Sequence, residues 1–156
     1  TGRVDGTINW LTKLPAFAAL MNDAGKEIQV LPWSEYGFNG YGLSVFASDR
    51  LIQENPTLVA KVLDIYKKAL RIAIDDPAKA GAALKAMVPD VDADIAAEEF
   101  AASARLIDTD LAEQDGLGAF EPELLAETWR WVAKAQDLPE DSLDPETSVT
   151  REFIAE

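Results

Sequence analysis

Residues 33–42, Trp33-Ser-Glu-Tyr-Gly-Phe-Asn-Gly-Tyr-Gly42, concentrate the groups from which a small-molecule site could be built. Four of the chain's thirteen aromatic residues, Trp33, Tyr36, Phe38 and Tyr41, fall here, with Glu35 as the one carboxylate. Flat rings on backbone loosened by Gly37 and Gly40 supply apolar contact, and a Tyr hydroxyl or Trp N–H adds a polar tip. An ordinary connection whose rings plug the edge of a core reads the same way. Gly37, Gly40 and Gly42 run G-x-x-G-x-G, the reverse of the dinucleotide fingerprint, and no helical pattern follows directly, so a Rossmann site is excluded. Asn9-Trp10 is the second candidate: an amide can donate and accept toward a ligand while an indole face stacks on it. Its alternative is a capping Asn beside a core Trp.

The rest of the chemistry is defined by what the 156 residues lack. Zero His removes the commonest general base and transition-metal ligand, and zero Cys removes thiol nucleophiles, disulfides and thiolate zinc sites. Asp90, Asp92 and Asp94 resemble half a calcium loop, but Ile95 stands where that loop needs Gly, and helix N-terminal acids explain them. Glu98 and Glu99 are adjacent on a helical pattern, so they diverge and cannot form an acid–base pair. Trp129 and Trp131, two apart on another helical pattern, point in different directions and read as packing residues. Any enzyme here would have to work with carboxylates, Lys or Tyr, and these patterns single out no catalytic residue, cofactor or metal.

Fourteen basic against 28 acidic residues give a net charge of −14, which argues against a nucleic-acid partner. The acidity is uneven. Residues 86–136 hold twelve acids and three bases, whereas residues 1–47 hold four and three. No run approaches the roughly 20 apolar residues of a membrane helix. The N-terminus has neither an initiator Met nor a signal-peptide pattern, and it reads as the interior of a longer chain, with a targeting segment expected upstream.

Two periods organise the positioning elements. Alternation predicts strands over Val4 to Trp10, Glu27 to Trp33 and Tyr41 to Ala47, with a short helix from Pro15 to Gly25 between the first two. From Ser48 the period becomes 3.6, and Pro56, Pro77, Pro122 and Pro145 mark helix starts, because Pro suits the first helical position. After Pro56, Leu58, Val62, Ile65, Ala69 and Ile72 form one apolar stripe. Further helices are predicted at about Pro77 to Met87, Asp92 to Ile107 and Pro122 to Gln136. The acidic tail, Asp137 to Glu156, carries Val149, Phe153 and Ile154, which suggest a docked end.

Several of these segments together resemble the NMT1/THI5-like solute-binding proteins of ABC importers. They are Gly2-Arg-Val-Asp-Gly6, Trp10 and Pro15, Val30-Leu-Pro-Trp-Ser-Glu-Tyr-Gly37, Tyr41-Gly-Leu-Ser-Val45, and above all Ser48-Asp-Arg-Leu-Ile-Gln-Glu-Asn-Pro56. Gly116-Leu-Gly118, the Pro122 helix and Arg151-Glu-Phe153 match the C-terminal pattern. The resemblance implies an α/β fold, part of a periplasmic-binding-protein type II architecture in which a few strands precede a mainly helical C-terminal region. Residues 1–47 would belong to the second lobe and its return crossing, and residues 48–156 would pack on the first lobe. The chain would cover about the latter half of a full family member, with the first half of the full protein absent. It places Asn9, Trp10, Trp33, Glu35, Tyr36 and Tyr41 near an interlobe cleft.

The implied function is non-catalytic capture of a small solute, a pyrimidine-like heterocycle or a sulfonate- or nitrate-type compound, and its delivery to a membrane permease in the periplasm or another extracytoplasmic space. Aromatic residues with few cations suit a stacking heterocycle better than a small inorganic anion. Two alternatives stand beside it: a THI5-type pyrimidine synthase, which depends on His and Cys, and a helical protein-interaction module. A partial scaffold is also expected to expose apolar surface or to self-associate.

Overall fold

A computed structural model of the protein describes residues 4–154, which leaves Gly2 and Arg3 of the first motif and the final Glu156 outside the described part. The helices are α1 (Leu14–Asp23), α2 (Asp49–Glu54), α3 (Pro56–Asp75), α4 (Pro77–Met87), α5 (Ala93–Ile107), α6 (Asp110–Asp115) and α7 (Pro122–Ala135). Short 3-10 turns lie at Leu11–Lys13, Trp33–Tyr36, Glu140–Ser142 and Pro145–Ser148.

Local chemistry accounts for the helix limits. Pro77 and Pro122 occupy first-turn positions, where a missing N–H costs nothing. Ser48, Asp76 and Thr109 accept from the amides of Leu51, Lys79 and Ala112 respectively, so each caps its helix. Asp92 accepts from the amides of Asp94 and Ile95 at 2.9 and 3.1 Å. Those bonds, Ile95 first and then Asp94, hold its carboxyl below the ordinary value. α1 stops in a Schellman motif: Gly25 takes φ 64°, its N–H donates to the Asn22 carbonyl, and the Lys26 N–H donates to that of Met21.

The strand expectation is overturned. Among the described residues there is no strand and no sheet, so the α/β class with a few strands does not hold for this structure. Residues 26–32 and 38–48 carry no regular structure outside the turn at Trp33–Tyr36. Their alternation is real, but a strand needs a partner segment about 4.8 Å away to take its N–H and C=O groups, and alternation alone supplies none.

The chain forms two compact units. The first combines residues up to Val30 with Ala69–Leu106, and the second combines Leu31–Lys68 with the chain from Ile107 onward. In the first, α4 and α5 cross closely at Gly81. A Cβ there would fall on the Ala93 carbonyl oxygen and lie 2.9 Å from the Ala97 nitrogen. Lys13 pairs with Glu99 at 2.6 Å in the same unit.

In the second unit, α7 buries Leu125 and Ala133, and the tail turns at Glu140–Ser142 and Pro145–Ser148 pack on it. The tail is therefore docked: Trp129 Nε1 donates to the Glu140 carbonyl at 2.7 Å, and Lys67 Nζ donates to that of Ile154 at 3.1 Å.

The apolar stripe read along α3 is not buried. Leu58, Val62, Ile65 and Ile72 are exposed, and Val59 is the buried residue of this helix. α3 also carries Leu63, Leu70, Ala73 and Ile74, so its apolar residues extend well beyond a single stripe, and the sequence pattern could not say which face packs.

Candidate functional site

The aromatic segment folds back on itself in the second unit. Trp33–Tyr36 make a 3-10 turn closed by Gly37 in the left-handed region, φ 82°. The Phe38 N–H then donates to the Trp33 carbonyl at 3.1 Å. This reversal needs a residue that tolerates positive φ, which is why glycine at 37 matters. It brings the Phe38 ring edge-on to Trp33 with centroids 5.2 Å apart. Phe38 also contacts Trp131 of α7, with centroids 5.0 Å apart.

The result is an open, apolar hollow of about 450 Å³ lined by Trp33, Tyr36, Phe38, Trp131, Lys134 and Ala135. The Lys134 ammonium lies 5.2 Å from the Trp131 ring centroid. Trp131 Nε1 is sealed from solvent and has no acceptor. An indole N–H in that condition is one that no hydrogen bond locks in place. Rings of this kind can hold a flat solute by stacking, worth about 0.5–1.5 kcal/mol per aromatic pair beyond burial.

Tyr41 sits further along, against the start of α7. Its N–H donates to Thr128 Oγ1 at 2.8 Å, and that hydroxyl donates onward to the Leu124 carbonyl at 2.7 Å. Its phenol oxygen accepts from the Glu121 N–H at 2.8 Å, and its ring meets Phe120 edge-on at 5.1 Å. Gly40 allows the approach: a Cβ there would stand 3.0 Å from Thr128 Oγ1.

Arg151, from the tail, donates to the Phe120 carbonyl at 3.2 Å and forks onto Glu146 at 2.6 and 3.2 Å. The Arg151 hydrogen bonds hold the Glu146 carboxyl below its ordinary value, and Glu146 in turn raises the guanidinium.

Of the six expected site residues, Trp33 and Tyr36 line the hollow. Tyr41 is anchored at the start of α7, and Glu35 is exposed on the 3-10 turn between them. Asn9 and Trp10 belong to the first unit. There Asn9 Oδ1 accepts from the Trp10 N–H at 2.8 Å, and the Trp10 carbonyl accepts from the Lys13 N–H. Trp10 is 58% exposed, so it is not a core tryptophan in this structure.

Phe38, one of the rings singled out in the 33–42 segment but not among the six expected site residues, also lines the hollow, and sequence reasoning missed Trp131 and Lys134. It placed the two α7 tryptophans on diverging directions, and they do diverge: Trp129 borders a second hollow of about 540 Å³ with Glu123, Arg130, Glu140 and Leu143. Which of the two would meet the 33–41 rings depends on a contact almost a hundred residues away, for which the sequence carries no local signal. Among the described residues no cluster of acidic side chains could hold a metal ion, and no helix is long and apolar enough to cross a membrane.

No curated protein and no solved structure matches the chain. The family model described as NMT1/THI5 like matches residues 1–80, the half that contains the aromatic turn and the Ser48-to-Pro56 segment. The chain belongs to the NMT1/THI5-like family.

Proposed function

We propose that the protein is a solute-binding component of an ABC importer, working outside the cytoplasm and handing a small molecule to a membrane permease. Family membership over residues 1–80 is compatible with solute binding, and the observation that carries the reading is the aromatic hollow that Trp33, Tyr36 and Phe38 of that matched segment form against Trp131 of α7. Trp33 and Tyr36, joined by Phe38 and Trp131, would stack on the solute, and Glu35 and Tyr41 would supply polar contacts.

A flat heterocycle of pyrimidine type fits such a wall better than nitrate or a small sulfonate, because Lys134 is the one cation among the lining residues. The family also includes pyrimidine synthases. With neither His nor Cys in these 156 residues, proton transfer or nucleophilic attack here would have to fall to carboxylates, Lys, Tyr or hydroxyls. Binding without chemistry is the better reading.

Titration of intrinsic tryptophan fluorescence with a pyrimidine, riboflavin, taurine and nitrate tests it. Saturable quenching by at least one compound, recovered unchanged after dialysis, is expected. Silence across all four, or conversion of the added compound, contradicts the proposal.

A further inference from the structure

The peptide group between Phe120 and Glu121 is gripped at both ends. Its carbonyl accepts from Arg151 Nη2 at 3.2 Å, and its N–H donates to Tyr41 Oη at 2.8 Å. The guanidinium is itself aimed by its fork on Glu146. A carbonyl engaged by a cation is polarised, and the N–H of the same peptide becomes the stronger donor. A phenol oxygen that accepts such a bond keeps its own proton for an outside acceptor, and its direction is fixed.

We propose that Arg151 is a positioning residue for the candidate site: acting through the Phe120–Glu121 peptide, it holds the Tyr41 phenol as an oriented hydroxyl donor toward an acceptor atom of the solute, such as a ring nitrogen, carbonyl or sulfonate oxygen. This deepens the solute-binding reading and rests on it, since it needs Tyr41 to face the solute. The plain alternative makes Arg151 a tail anchor. Other bonds already do that work, however: Trp129 Nε1 holds the Glu140 carbonyl and Lys67 Nζ holds that of Ile154. Tyr41 is tied to the same place independently through its own N–H on Thr128. Loss of the guanidinium should therefore leave both segments docked and change the phenol specifically.

The protein labelled with carbon-13 at tyrosine Cζ gives a direct readout, because its three tyrosines, Tyr36, Tyr41 and Tyr66, can be assigned with Phe variants. In Arg151→Met the Tyr41 signal should move while those of Tyr36 and Tyr66 stay. Exchange of the Glu121 amide should quicken by less than the roughly tenfold that loss of a whole hydrogen bond gives, because its own bond to Tyr41 stays and only the polarisation through the peptide is lost. Arg151→Lys, which keeps a charged donor, should restore most of both.

An unmoved Tyr41 signal in Arg151→Met, even with a lowered melting temperature, overturns the proposal and leaves a tail anchor. Tyr41→Phe, titrated with a pyrimidine, taurine and nitrate, separates the two readings. Weaker binding supports the hydroxyl's role, and affinity equal to the parent's removes it. If the parent binds none of the three, the solute reading fails, and the Tyr41 signal still decides what Arg151 does.

Discussion

The irregular runs at 26–32 and 38–48 and the helices from Asp49 to Ala135 both carry apolar sequence, yet they end differently. α5 and α7 bury Ala96, Leu125 and Ala133, whereas Leu43 and Phe46 are 88% and 94% exposed. A helix satisfies its backbone within its own segment and then needs only one face covered. An extended run must find a neighbour for every N–H and C=O it does not give to water. Apolar alternation is therefore a promise that a second segment has to keep, and the 3.6 period is not.

The largest effect should come from the tightest place in the helical part. Gly81→Ala puts a methyl on the Ala93 carbonyl at the α4–α5 crossing and should cost about 2–3 kcal/mol in urea unfolding. A loss below about 0.5 kcal/mol, the ordinary surface range, would mean the two helices can part freely.

Thr128→Val comes next. It keeps the shape but removes the acceptor of the Tyr41 N–H, where the loop segment borrows from α7. About 1–2 kcal/mol is expected, with faster amide exchange at Tyr41 as the marker.

The strap at the tail should respond to acid. Arg151 holds the Glu146 pKa below its ordinary 4.5, so the stabilisation is fully present above that value and is lost as the pH falls below it through the folded-state pKa. Glu146→Gln should flatten this part of the stability profile, and unchanged acid sensitivity would show that the fork is not formed in solution.

Phe46→Ser should do least. At an exposed position the change should stay within about 0.5 kcal/mol, and a loss of 2 kcal/mol would reveal that the extended run packs against something.

What could be read beforehand follows the same division. Pro56, Pro77 and Pro122 begin α3, α4 and α7 as their spacing predicted, and Gly25 ends the helix it was expected to end. These signals act over one turn, so the sequence states them completely. α6, only six residues long, gave no periodic signal of its own despite its Thr109 cap.

The strands failed because Ile28, Val30, Leu43 and Val45 specify a face but not a neighbour. The site divides likewise. Trp33, Tyr36 and Tyr41 stood out as ring-bearing residues beside glycines. Trp131 completes the hollow through a contact that only the fold decides, and on its helix it looked no different from Trp129.

The most direct test observes the four tryptophan indole N–H signals by nitrogen-15 NMR while a pyrimidine is added to the protein. Solute binding at the aromatic turn predicts that Trp33 and Trp131 shift in a saturable way while Trp129, bonded to the Glu140 carbonyl beside the other hollow, stays still. Movement of Trp129 alone, or no movement of Trp33 and Trp131 with any member of the solute panel, would contradict it.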